Sequence, residues 1–262
     1  MKNLGQRVAV DAMSAATAGG LVAPIVSMID KAIIENASGK RALMASIRSS
    51  LKTMLLRPHT YILSKPFALI FMVYGGTYLT ANTLDTFQST VTHPDRASTV
   101  THGPSKFLAT STANLTLTMI KDSQFTKMFG TATSARPVPP LSYALFAFRD
   151  CMTVYASFNL PPLIAPALPL NAAAESYISR ASAAQFLAPA AVQLISTPCH
   201  LYGLDLYNRP GEGKVSVADR LRKVGADWGK SSLARMCRIV PAFGFGGVVN
   251  TSMRKRMMTG LE

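Results

Sequence analysis

The stretch LARMCRIVPAFGFGGVVN, Leu233 to Asn250, sets Arg235, Arg238 and Pro241 at short fixed intervals and then carries no charge until Arg254. Arginine at bilayer depth is costly and persists where it faces water or an anion. Its planar fork pairs two-pronged with carboxylate or phosphate. Anion binding is therefore the chemistry these residues suggest, and RPVP, Arg136 to Pro139, repeats the same Arg-x-x-Pro spacing. The same side chains also suit a blander role, in which they snorkel to a basic membrane face as anchors. A second charged pair, Arg149 and Asp150, interrupts the apolar run FAFRDCMTVY. Adjacent residues on a helix do not face each other, so each is expected to find another partner.

Other chemistry is poorly supported. No serine, cysteine or histidine constellation points to catalysis, so no enzyme is expected, and neither is a cofactor or a metal. Cys151, Cys199 and Cys237 are far apart and sit in apolar runs, as small packing residues do. His93 and His102 share a polar loop without a ligand set. Asn36, Asn114 and Asn250 match glycosylation acceptors, but they fall in or beside expected helices, where chance explains the match.

The elements that position these groups are apolar. Of 262 residues, 48% are hydrophobic and only 15% charged, well below the charged share of roughly 25% in soluble domains. The net charge of +14 would raise nucleic acid first. The basic residues lie between apolar segments without interleaved aromatics, which argues against that partner. The N-terminus MKNLGQRVAV has neither a signal-peptide core nor an amphipathic presequence, so internal segments are expected to direct membrane insertion.

Six stretches approach the roughly 20 residues a bilayer core requires: Val8 to Ile34, Tyr61 to Leu84, Phe107 to Phe129, Leu141 to Ile164, Ala183 to Tyr207 and Met236 to Met253. Their Ser, Thr, Gly and Asn content suits close helix packing around a wet interior. Pro24 and Pro198 lie inside the first and fifth and are expected to kink them. Lys and Arg concentrate in the first, third and fifth loops, which an even number of spans with one retained face produces. In two of those loops, SIRSSLKTML and VADRLRKVGADW have the amphipathic pattern of helices lying on a membrane surface. Trp228 in the second suits an interfacial anchor.

The unit of kinked helix, basic amphipathic helix and further helix occurs twice, with Pro24 then Pro66 and Pro198 then Pro241 at similar separations. With ARMCRIVP and the amphipathic DRLRKVGADWG before it, this resembles the third repeat of the mitochondrial carrier family. The resemblance spans nearly the whole chain, in a divergent and shortened form. LSKP has Leu63 in the arginine position, and the odd-helix signature is altered after both Pro24 and Pro198.

The resemblance implies an all-α membrane protein of six transmembrane helices in three pseudo-repeats, approximately 1–90, 91–165 and 166–262, around a central cavity. It implies that Arg136 and Arg238, with Leu63 as an apolar third contact, bind substrate. Remnants of the gates between odd helices would be Asp30, Lys31 and Asp205, with Arg149 and Asp150 as further charged candidates. The expected function is alternating-access transport of a small anionic metabolite across the mitochondrial inner membrane by a monomer. Odd loops would face the matrix, where anionic lipid can meet them, and both termini the intermembrane space. The alternative is a carrier-derived membrane scaffold or insertion factor that no longer transports.

Overall fold

The computed structural model describes residues 3–92, 98, 104–130, 137–158, 160–171, 175, 180–209 and 215–261. No β-strand occurs among the described residues. The helices are α1 (Leu4–Ala37), α2 (Leu43–Leu56), α3 (Pro58–Ile62), α4 (Lys65–Thr92), α5 (Pro104–Phe129), α6 (Pro140–Phe158), α7 (Leu160–Ile164), α8 (Arg180–Asn208), α9 (Val217–Ile239) and α10 (Gly246–Thr259). A 3₁₀ turn, Ala165–Ala167, follows α7, and a π turn, Val240–Phe245, joins α9 to α10. Proline opens α3, α5 and α6, where a missing N–H costs nothing and a fixed φ suits the first turn. Among the described residues, α1 and the Lys65–Val91 part of α4 are long and apolar enough to cross a membrane.

One of the six expected segments is interrupted; for Leu141 to Ile164 the described residues form α6 and α7, and residue 159 lies outside them. In the last segment, the amphipathic VADRLRKVGADW does not end before Arg238 but runs on as one 23-residue helix, α9, with Arg238 in its final turn. Pro241 then breaks the ladder. It has no N–H to offer the carbonyl of Cys237, and the chain passes through a π turn before α10 begins.

The contacts divide the chain into two compact units. The first comprises Met1–Ser27, Lys52–Lys121 and Pro241–Glu262, and the second Met28–Leu51 and Asp122–Val240. In the first, α1 and α4 approach at Gly19 and Gly75, where a Cβ on Gly19 would stand 2.9 Å from the backbone nitrogen of Gly75. Val10 packs with Met258 of α10. In the second, α8 packs against both α6 and α9. Gly203 leaves room for the Phe146 ring, and the Ser142 hydroxyl donates to the Gly203 carbonyl at 2.8 Å.

The expected kinking prolines lie inside α1 and α8, the latter also containing Pro189. Pro198 deprives the Leu194 carbonyl of its helical donor, and the Trp228 indole N–H takes that place at 2.8 Å. Trp228, expected as an interfacial anchor, thus also repairs the backbone of α8.

In both units buried polar and charged residues share the interior with apolar ones while large apolar side chains lie exposed. Phe148 is 57% exposed while its neighbour Arg149 is 1% exposed. Ile195 is 68% exposed while Gln193, Ser196 and Thr197 are fully buried. Asp11, Ser14, Thr86 and Ser89 are also fully buried, whereas Leu21, Phe87 and Leu108 lie outside. Such surfaces suit hydrocarbon, with the polar residues turned toward one another. Cys151 and Cys237 share the exposed side rather than packing inside as the sequence suggests.

Candidate functional site

The second unit concentrates buried charge on α5, α6, α8 and α9. Arg149 is its centre. Its Nε and Nη2 donate to the two carboxylate oxygens of Asp150 at 2.9 and 2.7 Å. Nη2 also donates to Asp122 at 2.5 Å, and Nη1 meets His200 Nδ1 at 2.7 Å. Arginine can only donate, so His200 Nδ1 accepts and the imidazole is neutral. The Phe146 ring lies 5.5 Å below the guanidinium carbon. Arg149 therefore has the outside partners expected of it, while the bonds of Asp150 described above are to Arg149, its own neighbour. The rule about helix faces concerns where Cβ atoms point, and the arginine stem is long enough to curl back.

Around this centre stand two more arginines. Arg238 Nη1 donates to Asp30 at 2.6 Å. Arg235 is 1% exposed, and its Nε donates to Gln193 Oε1 at 3.0 Å. Gln193 in turn donates to Thr153 Oγ1 and to the Pro189 carbonyl, tying α8 to α6. Among the described residues no carboxylate lies within 4.0 Å of Arg235, and its Nη2 is buried without an acceptor. Sequence reading placed Arg235 among the loop's basic residues, and burial alone distinguishes it.

The first unit has its own polar network. Arg254 donates from Nε to Asp11 Oδ1 at 2.8 Å and from Nη2 to Thr86 Oγ1 at 3.0 Å. The Thr86 hydroxyl donates to Asp11 Oδ2 at 2.5 Å. Asn82 and Asn250 exchange amide hydrogen bonds at 2.8 and 2.9 Å, and Asn82 also donates to the Asp11 carbonyl. Of this set the sequence reading named only Arg254, as the end of an uncharged run, and Asn250, as a chance glycosylation match. Ionisable residues spaced inside membrane-length helices were the available signal for Asp11.

The remaining expected residues fall as follows. Arg136 lies outside the described residues, as do His93 and His102. Leu63 caps α3 and is 84% exposed. Arg238 and Asp30 come together as an ion pair. Lys31 stands 3.9 Å from Glu35, with its ammonium over the Phe129 ring. Asp205 accepts from Arg209 at 2.6 Å and from Arg220 at 2.7 Å. Asn36, Asn114 and Asn250 each use their amide in a hydrogen bond between helical segments.

Searches of curated proteins and of solved structures return no match. The profile of one family, described as probable citrulline exporter, matches residues 14–258. This overturns the resemblance to mitochondrial carriers. The motif that carried it, Arg238-Ile-Val-Pro241, does not begin a helix here but straddles the end of α9 and the π turn, so two matching residue types stood for a different local structure. The chain belongs to the probable citrulline exporter family, whose function is membrane transport.

Proposed function

We propose that the chain exports citrulline, or a zwitterionic amino acid of that class, with the buried charge cluster on α5, α6, α8 and α9 as its substrate-binding centre. The observation that carries this reading is the cluster's mixed sign. Arg149 and Arg238 pair with Asp122, Asp150 and Asp30, and Arg235 stands beside them on Gln193, so that three guanidinium groups and three carboxylates share the interior of helices with apolar residues on their exposed faces. A centre of one sign would suit a net anion, the ligand expected from the carrier resemblance. A centre of both signs suits a molecule with a carboxylate, an ammonium group and no net charge, and the ureido end of citrulline adds donors and an acceptor.

For the layout, we propose six membrane crossings, by α1, α4, α5, α6, α8 and the π turn with α10. The mitochondrial inner membrane was implied by the carrier resemblance and loses that support with it. The orientation keeps support of its own in the Lys/Arg excess of the odd loops, which assigns those loops to the retained face and both termini to the other.

The test is uptake of labelled citrulline into proteoliposomes preloaded with citrulline, compared with protein-free vesicles and with vesicles holding Arg149→Met. Saturable exchange by the parent that falls at least tenfold in the variant is expected. Absence of exchange by a parent that is folded and reconstituted would overturn the citrulline reading.

A further inference from the structure

We infer that Arg235 is the residue that receives the substrate carboxylate, through its two terminal nitrogens, with Gln193 as the positioning residue that holds the guanidinium. This rests on the reading above and names the contact it leaves open.

Arg235 differs from the other buried arginines of its unit in having no counter-ion. Arg149 meets Asp122 and Asp150, and Arg220 meets Asp205. Arg238, slightly more exposed, meets Asp30. Arg235 makes a single hydrogen bond among the described residues, from Nε to the neutral Gln193 amide. That bond occupies the side of the guanidinium and leaves the Nη1/Nη2 end, the end that presents two parallel N–H groups to a carboxylate. Nη2 is wholly shielded from solvent and has no acceptor.

The cations Arg238 and Arg149 and the anions Asp30 and Asp150 all lie within electrostatic reach of Arg235. Each of those cations already has a carboxylate of its own, whereas Arg235 has none. Leaving such a group in a folded interior destabilises the protein. A ligand anion that enters and leaves explains why the sequence supplies no permanent partner.

Gln193 completes the geometry. Its carbonyl oxygen accepts from Arg235, and its amide nitrogen is anchored to α6 through Thr153 and to α8 through the Pro189 carbonyl. The guanidinium is thereby held in one orientation without being neutralised. A carboxylate in that place would have filled the site.

The test is thermal unfolding of the detergent-purified full chain against citrulline, its carboxamide, other α-amino acids and simple carboxylates. The proteins are the parent, Arg235→Met, Arg235→Lys and, as a charge control, the exposed Arg222→Met. A ligand that binds the folded state alone raises its stability by RT ln(1 + [L]/Kd). Citrulline is expected to stabilise the parent and Arg222→Met. The carboxamide, which lacks the anionic end, is expected to do nothing. Arg235→Met should unfold no earlier than the unliganded parent, because it removes an unpaired charge, and should lose the citrulline response. Arg235→Lys should bind at least tenfold more weakly, since an ammonium lacks the fork.

An Arg235→Met variant that responds to citrulline like the parent overturns the assignment. So does one that unfolds well below the unliganded parent or fails to fold, since Arg235 is then a structural cation. A carboxamide that stabilises as well as citrulline overturns it too. If citrulline has no effect but another carboxylate stabilises the parent and not Arg235→Met, the carboxylate site stands and the citrulline reading fails. If no carboxylate stabilises the parent, both fail.

Discussion

The buried pair of Arg254 and Asp11 lends itself to a double-mutant cycle. The two residues are 2% and 0% exposed, the Nε–Oδ1 distance is 2.8 Å, and Thr86 bridges the second oxygen of Asp11 to the second nitrogen of Arg254. At an effective dielectric constant of about 20 the gross attraction at that separation is about 6 kcal/mol. Desolvation of both ions offsets most of it, so the intact pair adds little net stability. Breaking it is another matter, because the surviving ion stays buried after losing this counter-charge. Arg254→Met is expected to cost about 3–5 kcal/mol, and Asp11→Leu a similar amount. The double variant, apolar on both sides, should return to within about 1 kcal/mol of the parent, or exceed it. Denaturant unfolding in mixed micelles, followed by helix content, reads all four proteins. Single costs that simply add in the double variant, within about 0.5 kcal/mol, would refute the reasoning and mean that water, rather than protein, solvates this pair.

Two further predictions concern the backbone. Trp228→Phe should cost about 1 kcal/mol, the net worth of one hydrogen bond, because the Leu194 carbonyl loses the donor that replaces the one Pro198 lacks. In a Pro198→Ala background, where the main chain can supply that donor, the same change should cost clearly less, and an equal cost in both backgrounds would sink the explanation. Gly19→Ala should destabilise by about 1–3 kcal/mol despite the better helix propensity of alanine, since the new Cβ meets the backbone of Gly75 at 2.9 Å and neither main chain can retreat. Gly20→Ala, whose Cβ meets nothing within 4 Å, should be neutral or stabilising, and unfolding temperatures of the two side by side decide the point.

The helices were legible because they follow from local chemistry. Long apolar stretches interrupted by few charges require internal hydrogen bonding, and α1, α4, α5 and α8 appear close to where hydrophobicity places them. Their small polar residues suggested close helix packing, and Ser14, Ser196 and Thr197 are buried. The end of α9 was misjudged for a local reason as well. Nothing between Val217 and Ile239 breaks a helix, so the amphipathic segment continues through Arg238 until Pro241 intervenes.

Composition and hydropathy by themselves determined that this chain forms long apolar helices carrying small polar residues, because those properties are decided within a few turns of chain; which proline interrupts a helix was not among them, since α1 and α8 run through Pro24 and Pro198 whereas the π turn falls at Pro241. Which charges meet was decided only in three dimensions. Asp11 pairs with Arg254 across 243 positions and Asp30 with Arg238 across 208. The pairing sets which arginine is answered by a carboxylate and which is left for a ligand. Arg235 and Arg238 stand one helical turn apart and look alike in the sequence. The fold gives one of them Asp30 and the other only the amide of Gln193, because a buried ion's chemistry depends on which helices pack around it.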